Sequence, residues 1–281
     1  MLVRHWIRDV LLRAPDPIRR RAFNAALRMG ATNSVLHGYA HLGAPTHVHA
    51  GPFAGMKYQF HATSTSQLLP KLIGTYEAEI HEFIERLVGM QPDLIIDIGA
   101  ADGYYAVGLA RRLPQARSVG FDTDAASHGQ LRANARANGV QDRVEARGTC
   151  TTAELEKLLA GAAHPAVVSD CEGFEGDLLD PEAAPSLRRA IVLVELHEAK
   201  RPGVTDRIRA AFERSHVIDA EPTRRRSVAD WPADLPRPDE RIMRFALDEK
   251  RGSPQQWFLL TPRAGDGSSG EPLWRGTGNG A

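Results

Sequence analysis

The stretch from Leu94 to Tyr105, LIIDIGAADGYY, constrains the fold of this chain more than any other part of it. Its first four residues are apolar or acidic, a pattern typical of a buried parallel strand. Gly99 then leaves the strand, and Gly103 opens a helical pattern that continues to Leu113. A strand that leads through a glycine turn into a helix predicts the nucleotide-binding corner of a doubly wound α/β sheet, because glycine allows the sharp turn and the close approach of a ligand to main-chain atoms.

The sequence after residue 94 alternates between strand and helix patterns. Strands are predicted at 94–99, 118–122, 143–148, 166–170, 190–197 and 216–220, with a final edge strand at 256–260. Helices are predicted between them at 103–113, 124–138, 152–160, 182–189 and 204–215. Short connections and this alternation predict a parallel sheet with right-handed crossovers and with helices on both faces.

The first 90 residues are predicted to form a helical and hairpin extension in front of this domain. Apolar residues recur at helical spacing up to about residue 45, with a break at Pro15 and Pro17. The arginines of these helices suit either a basic face packed on the domain, which the narrow apolar stripe favours, or an anionic surface. The alternation from His47 to Phe60 predicts a hairpin, and one helix is predicted from Leu68 to Val88.

The α/β domain itself is predicted to span residues 91–262. Its segment 221–251 is rich in proline and charge. Because such a sequence is too polar for a core, the segment is predicted to form a lid or insertion over the site. The glycine- and serine-rich residues 263–281 are predicted to form a disordered tail.

The composition argues against several kinds of partner. The 281 residues include 35 lysines and arginines and 35 aspartates and glutamates, so no net charge attracts nucleic acid and no nucleic-acid partner is expected. No apolar run reaches the roughly 18 residues of a membrane-spanning helix, so no membrane span is expected. The two cysteines, Cys150 and Cys171, have no metal-ligand spacing and fit a reducing compartment, which predicts a cytoplasmic protein.

The glycine corner departs from the fingerprint of dinucleotide-binding proteins. That fingerprint, G-x-G-x-x-G, places its second glycine where the pyrophosphate meets the helix N-terminus. Here that position is Ala101, and Asp102 follows it. A carboxylate beside a diphosphate is repulsive, and Asp97 at the end of the strand adds to the repulsion. The same acids favour a ligand that carries an ammonium and a sulfonium group.

A second acid, Asp122, ends the strand that follows the first helix of the domain. A carboxylate at that place accepts hydrogen bonds from both hydroxyls of a ribose. Together with Asp97 it favours a nucleoside that carries positive charge, which is S-adenosylmethionine. The alternatives are that Asp97 caps a helix or turn and that Asp122 is a surface loop acid.

Four motifs resemble those of the FkbM-type S-adenosylmethionine-dependent methyltransferases. They are Asp97-x-Gly99-x-x-x-Gly103, Gly120-Phe121-Asp122, Asp170-Cys-Glu172-Gly173-Phe-Glu175 and Val194-Glu195-Leu196-His197. The similarity covers residues 74–197, and residues 256–260 match the last strand of the family more loosely. It implies a Rossmann-like methyltransferase fold with a seven-stranded, mostly parallel sheet in the order 3-2-1-4-5-7-6. It also implies O-methylation of a sugar, a saccharide or another natural product.

The resemblance implies a set of residues that bind the cofactor. Carried over by position, the predicted set is Asp97, Gly99, Ala100, Gly103, Tyr104, Asp122, Thr149, Asp170 and Glu77. In this set the glycine corner lines the methionine moiety, Asp122 holds the ribose and the turn around Thr149 lies near the adenine. Glu77 and its neighbour Tyr76 stand where a helix crosses the methionine end, and packing and capping are their alternative role. Ala101 departs from the family's commoner motif, which has glycine there.

The residues predicted to carry the chemistry follow the fourth and fifth strands. They are Asp170, Glu172, Glu195 and His197. His197 is the preferred general base for a hydroxyl acceptor, because its ordinary pKa lies near neutrality and a neighbouring carboxylate raises it. The alternative is a histidine that caps its strand.

The same residues leave two further interpretations open. Carboxylate oxygens with one imidazole suit magnesium or manganese, so a divalent metal is an alternative ligand of the cluster. Alternatively, Asp170 and Glu172 only begin a helix, whose N-terminus favours acids, and Glu175 is its first-turn acid.

The sequence thus predicts a cytoplasmic enzyme that transfers a methyl group from S-adenosylmethionine to a hydroxyl of a small-molecule acceptor. A nicotinamide-dependent oxidoreductase is a competing prediction, which Ala101 and Asp102 disfavour. A non-catalytic module that keeps the cofactor fold for interaction is another. The presence of Asp97, Gly99, Gly103 and Asp122 disfavours the non-catalytic module.

Overall fold

The structure is a computed structural model that describes residues 45–58, 67–249 and 251–263. A seven-stranded sheet in the order β3-β2-β1-β4-β5-β7-β6 forms its centre. The strands are β1 Leu94–Ile98, β2 Arg117–Phe121, β3 Val144–Arg147, β4 Pro165–Ser169, β5 Ile191–Leu196, β6 His216–Pro222 and β7 Gln256–Pro262. The first five strands are parallel to one another, and β7 is antiparallel to both β5 and β6. The predicted fold class and strand order are confirmed.

Helices cover the sheet and connect its strands. They are α1 Leu68–Ile73, α2 His81–Gly89, α3 Tyr104–Arg112, α4 Ala125–Ala137, α5 Thr152–Ala160, α6 Glu175–Leu178, α7 Val204–Phe212 and α8 Glu240–Ala246. Short 3₁₀ helices occupy Ala78–Ile80, Pro185–Arg189 and Val228–Asp230. Within the described residues, no helix is long and apolar enough to cross a membrane. The predicted helices before residue 45 and the predicted tail, apart from Arg263, lie outside the described residues.

Two hydrophobic cores lie on the two faces of the sheet. In β1, Ile95 belongs to one core, whereas Ile96 and Ile98 belong to the other. This split follows from the geometry of a strand, whose successive side chains point to opposite faces. The core that contains Ile95 is covered by α2, α3, α4 and α8, and the other is covered by α5 and α7.

Part of the predicted N-terminal extension belongs to the first core. Phe53 and Tyr58 are 1% and 3% exposed, and their rings make edge contacts with Tyr104 at centroid distances of 5.2 and 5.8 Å. Phe53 also fits a groove at Gly108, where a Cβ atom would lie 2.6 Å from its ring. In the predicted hairpin the structure shows one antiparallel bridge, between His47 and Lys57. This segment therefore packs directly on the helix that follows the glycine corner.

The prediction of one helix from Leu68 to Val88 is wrong. α1 ends at Gly74, whose φ of +83° is left-handed, and Glu77 has a φ of +48°. A side chain at Gly74 would place its Cβ 2.1 Å from the carbonyl oxygen of Ala50, so the chain turns where two backbones touch. The break directs Glu77 toward the carboxyl ends of the strands. The sequence does not reveal the break, because the apolar residues keep their helical spacing across it.

The prediction that residues 256–260 form an edge strand is also wrong. β7 lies between β5 and β6, and Trp257, Phe258, Leu259 and Leu260 are all 0% exposed. The edge on this side is β6. A strand with apolar residues on both of its faces fits an interior position, where each face meets one of the two cores.

The segment 221–251 contributes more to the core than its composition predicts. Trp231 is 4% exposed, and Met243, Ala246 and Leu247 are buried in the first core. The expectation that this stretch lies wholly outside the core is therefore wrong for these four residues. These apolar residues are separated by prolines and charged residues, so the average composition of the segment does not reveal that they are buried.

Candidate active site

A cavity of about 750 Å³ opens at the carboxyl ends of β1, β2 and β4. β1 lies at the point where the strand order reverses, with β2 on one side and β4 on the other. Such a switch point is where open α/β sheets bind their ligands. The predicted site residues that line the cavity are Gly99, Asp122, Thr149, Asp170 and Glu172. Its lining also includes Gln67, Phe174 and Leu178, which were not predicted.

The glycine corner forms one wall of the cavity. Gly99 and Gly103 both have a φ of +85°. A Cβ atom on Gly99 would lie 1.8 Å from the carbonyl oxygen of Asp170, so the loops after β1 and β4 touch there through their backbones. Ala101 takes a φ of +45°, a conformation that usually favours glycine. Its N–H donates to the side chain of Asp122, which helps to hold the loop in this shape.

Asp122 stands at the end of β2 and is fixed by main-chain donors. Its Oδ2 accepts from the N–H of Ala101 at 2.8 Å, and its Oδ1 accepts from the N–H of Asp124 at 2.7 Å. Each carboxylate oxygen has two lone pairs, so both retain acceptor capacity. The carboxylate is therefore held at the cavity wall in a form that can accept two ligand hydroxyls.

Four predicted cofactor-binding residues near the corner do not line the cavity. They are Asp97, Ala100, Gly103 and Tyr104. Asp97 is 2% exposed and accepts from the N–H of Ala106 at 2.8 Å, and burial raises its pKa to about 7. Tyr104 packs in the core. The predicted contact of Asp97 and Tyr104 with the cofactor stays a prediction, and the hydrogen bond to Ala106 shows that Asp97 holds the first turn of α3.

Asp102 does not face the cavity, which corrects the electrostatic argument drawn from it. It is 2% exposed and accepts a hydrogen bond from the hydroxyl of Tyr58, and the Nζ of Lys71 lies 3.3 Å from its Oδ1. The Lys71 ammonium also lies 5.0 Å from the ring centroid of Tyr76. The charge of Asp102 is therefore compensated inside the protein and does not repel a phosphate in the cavity.

A second group of side chains lies where β4 and β5 end, beside the cavity. His197 is 2% exposed, and its Nδ1 lies 2.6 Å from Oε1 of Glu175. Its Nε2 faces Asp170 at 3.4 Å, Glu172 at 3.3 Å and Glu195 at 3.8 Å. The four residues predicted to carry the chemistry are thus brought together, and Asp170 belongs to both this group and the cavity wall.

The carboxylates around His197 change its protonation. Burial lowers the pKa of His197, but the hydrogen bond to Glu175 and the charges of Asp170 and Glu172 outweigh burial, so the pKa is raised. Burial also raises the pKa of Asp170 and raises that of Glu195 to about 9. Glu195 therefore keeps its proton at neutral pH, where an exposed glutamate would release it.

Arg251 compensates three of the buried carboxylates. Its guanidinium lies 2.8 Å from Glu77, 2.5 Å from Glu195 and 2.9 Å from Glu249. Glu77 also accepts from the hydroxyl of Tyr105, and burial raises its pKa to about 7. Glu77 was predicted to contact the methionine end, but it does not line the cavity. It instead joins the break before α2 to the segment that precedes β7.

Several residues of this site were missed by sequence reasoning. They are Glu79, Glu175, Arg226, Glu249 and Arg251, of which Arg226 forms ion pairs with both Glu79 and Glu249. Glu175 does begin α6, as an acid of the first turn, yet its side chain is fully buried against His197. For the other four no local pattern exists, because each pairs with a residue distant in the sequence. An arginine within a polar, proline-rich segment looks solvated.

Two groups of side chains have the composition of a divalent metal site. Asp170, Glu172 and His197 form one, and Glu77, Asp170 and Glu195 form the other, with ligand atoms within 4.8 Å of one another in each. Oxygen donors with one imidazole suit magnesium or manganese. Oδ1 of Asp170 is buried without a hydrogen-bond partner among the described residues, so the donor set has unused capacity for a cation.

Comparison with known proteins found related sequences for part of the chain. No family model matches it. A stretch of 102 residues is 33% identical to the tRNA1(Val) (adenine(37)-N6)-methyltransferase of Porphyromonas gingivalis and covers 36% of this chain and 40% of that protein. The enzyme of a second strain is 32% identical over 106 residues, which cover 37% and 42%. The chain thus spans about two fifths of the length of these curated relatives.

Solved structures with a similar arrangement include two O-methyltransferases. One is the Bacillus cereus O-methyltransferase in complex with SAH, with a TM-score of 0.42, 14% identity and coverage of 81% of this chain and 90% of that chain. The other is TomG of Streptomyces achromogenes, involved in tomaymycin synthesis and solved in complex with SAM. Its TM-score is 0.45, with 19% identity and coverage of 72% and 91%.

Proposed function

We propose that this protein transfers a methyl group from S-adenosylmethionine to a hydroxyl of a small molecule, with sugars, saccharides and related natural products as the expected acceptors. The observation that carries the proposal is the position of Asp122. Its carboxylate is held by two main-chain N–H groups at the wall of a cavity at the switch point of the sheet. A carboxylate there suits the two hydroxyls of a ribose.

The charge of the cavity wall favours a cationic nucleoside over a dinucleotide. Asp122, Asp170, Glu172 and Asp177 line the cavity, and no lysine or arginine of the described ranges does. A diphosphate would meet acids without a compensating cation, which is unfavourable. The ammonium and sulfonium groups of S-adenosylmethionine suit the same wall. The acids of the cavity wall therefore disfavour a nicotinamide cofactor, whereas the buried Asp102 does not.

Side chains near Asp170 supply what a hydroxyl acceptor requires. S-adenosylmethionine brings a methyl group already activated by its sulfonium. The acceptor oxygen attacks that carbon as the bond to sulfur breaks and S-adenosylhomocysteine leaves. The proton of the acceptor passes to Nε2 of His197, which must be neutral before this step, and the raised pKa of His197 therefore favours the reaction at alkaline pH. Asp170 and Glu172 face this nitrogen and stabilise the imidazolium that forms. A general base of this kind contributes about 10²–10⁴-fold to the rate.

A divalent metal is an alternative way to activate the acceptor in the same place. Asp170, Glu172 and His197 would hold magnesium or manganese, and the metal would lower the pKa of a bound hydroxyl. The proposal includes this alternative because the donors fit the ion. It is tested by a magnesium arm in the experiment below.

Thermal unfolding with ligands tests the proposal. The purified protein is unfolded with S-adenosylmethionine, S-adenosylhomocysteine or NAD, each with and without magnesium. A ligand that binds only the folded state should add about 2.7 kcal/mol at 100 times its dissociation constant. Stabilisation by the two adenosyl ligands alone is the expected result. Stabilisation by NAD alone would support an oxidoreductase, and no shift with any ligand would support the non-catalytic module.

The local identity to tRNA adenine methyltransferases favours a second candidate, N6-methylation of an adenine in tRNA. The balanced charge of the chain and the acids at the cavity disfavour a polyanionic substrate. An assay with radiolabelled S-adenosylmethionine distinguishes the two candidate activities. Label in sugars and other small hydroxyl compounds supports the first, and label in total tRNA at a matched concentration supports the second.

A further inference from the structure

The environment of His197 differs sharply on its two nitrogens. Nδ1 faces one carboxylate, that of Glu175, at hydrogen-bond distance, 2.6 Å. Nε2 faces three carboxylates, those of Asp170, Glu172 and Glu195, at 3.3 to 3.8 Å. The imidazole is 2% exposed and Glu175 is 0% exposed, so solvent does little to screen the contacts of either nitrogen.

Glu175 is itself fixed before it meets the histidine. Its Oε1 accepts from the N–H of Gly173 at 3.0 Å as well as from the imidazole. The turn that precedes it is unusual, because Glu172 has a φ of +58° and Gly173 a φ of +109°. A left-handed glutamate is strained and persists only where the surroundings hold it. This turn directs the side chains of both Glu172 and Glu175 toward one imidazole.

An ionised carboxylate only accepts hydrogen bonds, so the short contact with Glu175 requires a proton on Nδ1. When the ring is neutral, the lone pair then lies on Nε2, the nitrogen that faces Asp170, a residue of the cavity wall. We propose that Glu175 is a positioning residue that holds His197 in the Nδ1-protonated tautomer and leaves Nε2 to act on the acceptor. This inference rests on the proposed function, in which His197 takes the proton of the acceptor hydroxyl.

The other charged groups around the ring do not supply this function. Asp170, Glu172 and Glu195 all lie on the Nε2 side. Lys200 pairs with Glu172, and Arg251 pairs with Glu195, so the two cations are directed to carboxylates and not to the ring. Glu175 alone, among the described residues that form ion pairs with His197, contacts Nδ1.

The test is a ¹⁵N NMR spectrum of the histidine side chains, recorded with pH high enough for a neutral ring. The signal of His197 is assigned among the 11 histidines by comparison with His197→Gln. The wild type should show the Nδ1-protonated tautomer. Glu175→Leu should shift His197 toward the commoner Nε2-protonated form. Glu175→Gln should keep the original tautomer, because its amide oxygen still accepts from Gly173 and from Nδ1.

Controls separate positioning from a loss of structure. Glu213→Leu removes an exposed acid and should leave the signal of His197 unchanged. The affinity of Glu175→Leu for S-adenosylhomocysteine should stay within about 2-fold of wild type, since Glu175 does not line the cavity. If Glu175→Leu does not fold, the wild-type and Glu175→Gln spectra still decide the tautomer. An Nε2-protonated His197 in the wild type overturns the inference.

Failure of the inference and failure of the proposed function give different results. The tautomer is measured without an acceptor or a cofactor. Binding of S-adenosylhomocysteine together with an Nε2-protonated ring would reject only the role of Glu175. The predicted tautomer in a protein that binds no adenosyl ligand would reject only the proposed function. With an acceptor in hand, Glu175→Leu should lower kcat and leave KM for S-adenosylmethionine unchanged.

Discussion

Nη2 of Arg251 donates a hydrogen bond to Oε1 of Glu77 at 2.8 Å, although 174 positions separate the two residues in the sequence. The same guanidinium also forms ion pairs with Glu195 and Glu249. A buried carboxylate without a cation is costly, and one arginine here compensates three. The contact therefore ties the break before α2, the end of β5 and the segment before β7 into one unit.

Replacement of Arg251 by methionine should destabilise the protein, because it leaves buried carboxylates without a cation. The free energy of unfolding in urea at pH 7 should fall by about 3–5 kcal/mol, the usual result when one partner of a buried pair is removed. The matched control is Arg244→Met, which breaks an exposed pair with Glu240 in α8. Such surface pairs contribute about 0.3–0.5 kcal/mol. Equal losses in the two variants would show that the Arg251 cluster is solvated in solution.

Stability should decrease as the pH rises from mildly acidic to alkaline values. Burial raises the pKa of Glu77 from 4.5 to about 7 and that of Glu195 from 4.5 to about 9. The folded state therefore binds more protons than the unfolded state between pH 4.5 and about 9, and its stability is lost as pH rises through that window. The raised pKa of His197 acts in the same direction, and the lowered pKa of the buried His216 acts oppositely, below its ordinary value of 6.5.

Denaturant titrations at several pH values measure this slope. Glu195→Gln removes one of the retained protons, so the decline between pH 7 and pH 9 should become shallower in that variant. Glu213→Gln, at an exposed position, should keep the wild-type slope. A wild-type stability that rises from pH 5 to pH 9 is incompatible with the buried, protonated carboxylates described above.

Gly99→Ala should be far more damaging than alanine at another left-handed glycine. At Gly99 the new Cβ would meet the carbonyl oxygen of Asp170 at 1.8 Å, and two backbones would have to separate. A loss of more than about 4 kcal/mol of unfolding free energy is expected. Gly139 has a φ of +68° but open space around it, so Gly139→Ala should cost only about 1–2 kcal/mol. Thermal and urea unfolding compare the two, and similar losses would mean that backbone conformation alone matters.

Asp122→Ala should weaken the binding of S-adenosylhomocysteine by about 1–3 kcal/mol, because the ribose hydroxyls lose their acceptor. Asp122→Asn keeps one side-chain oxygen for the N–H of Ala101 and should lose less. Asp142→Ala, a change at an exposed acid, is the control. Isothermal calorimetry gives the affinities. Unchanged binding in Asp122→Ala would show that the ribose is held elsewhere.

The sequence pattern was sufficient to predict the strands and the cavity at their carboxyl ends, but not the interior position of β7. The central strands β1, β4 and β5 are short, fully buried runs bounded by turn residues, and parallel strands place their carboxyl ends at one edge. Asp122 and Asp170 follow β2 and β4 directly, so their positions at the cavity follow from the strand ends alone. His197, one residue after β5, meets Asp170 for the same reason.

Side-chain direction and long-range charge pairs were not predictable in this way. Asp102 and Asp122 both lie near the glycine corner, but the left-handed Ala101 helps to turn the chain so that Asp102 points inward, toward Lys71. Arg251 and Glu77 lie in segments with no common pattern. Their pairing depends on the break after Gly74, where the backbone lies against that of Ala50.

The distance in sequence between Glu77 and Arg251 also affects folding during synthesis on the ribosome. A ribosome adds about 5–20 residues per second, so the 174 positions between them take about 9–35 s to translate. Strands β1 to β6 are synthesised during that interval, before Arg251 is available to pair with Glu77. The nascent chain can therefore begin its sheet early, but its acidic cluster stays uncompensated until the last strands leave the exit tunnel.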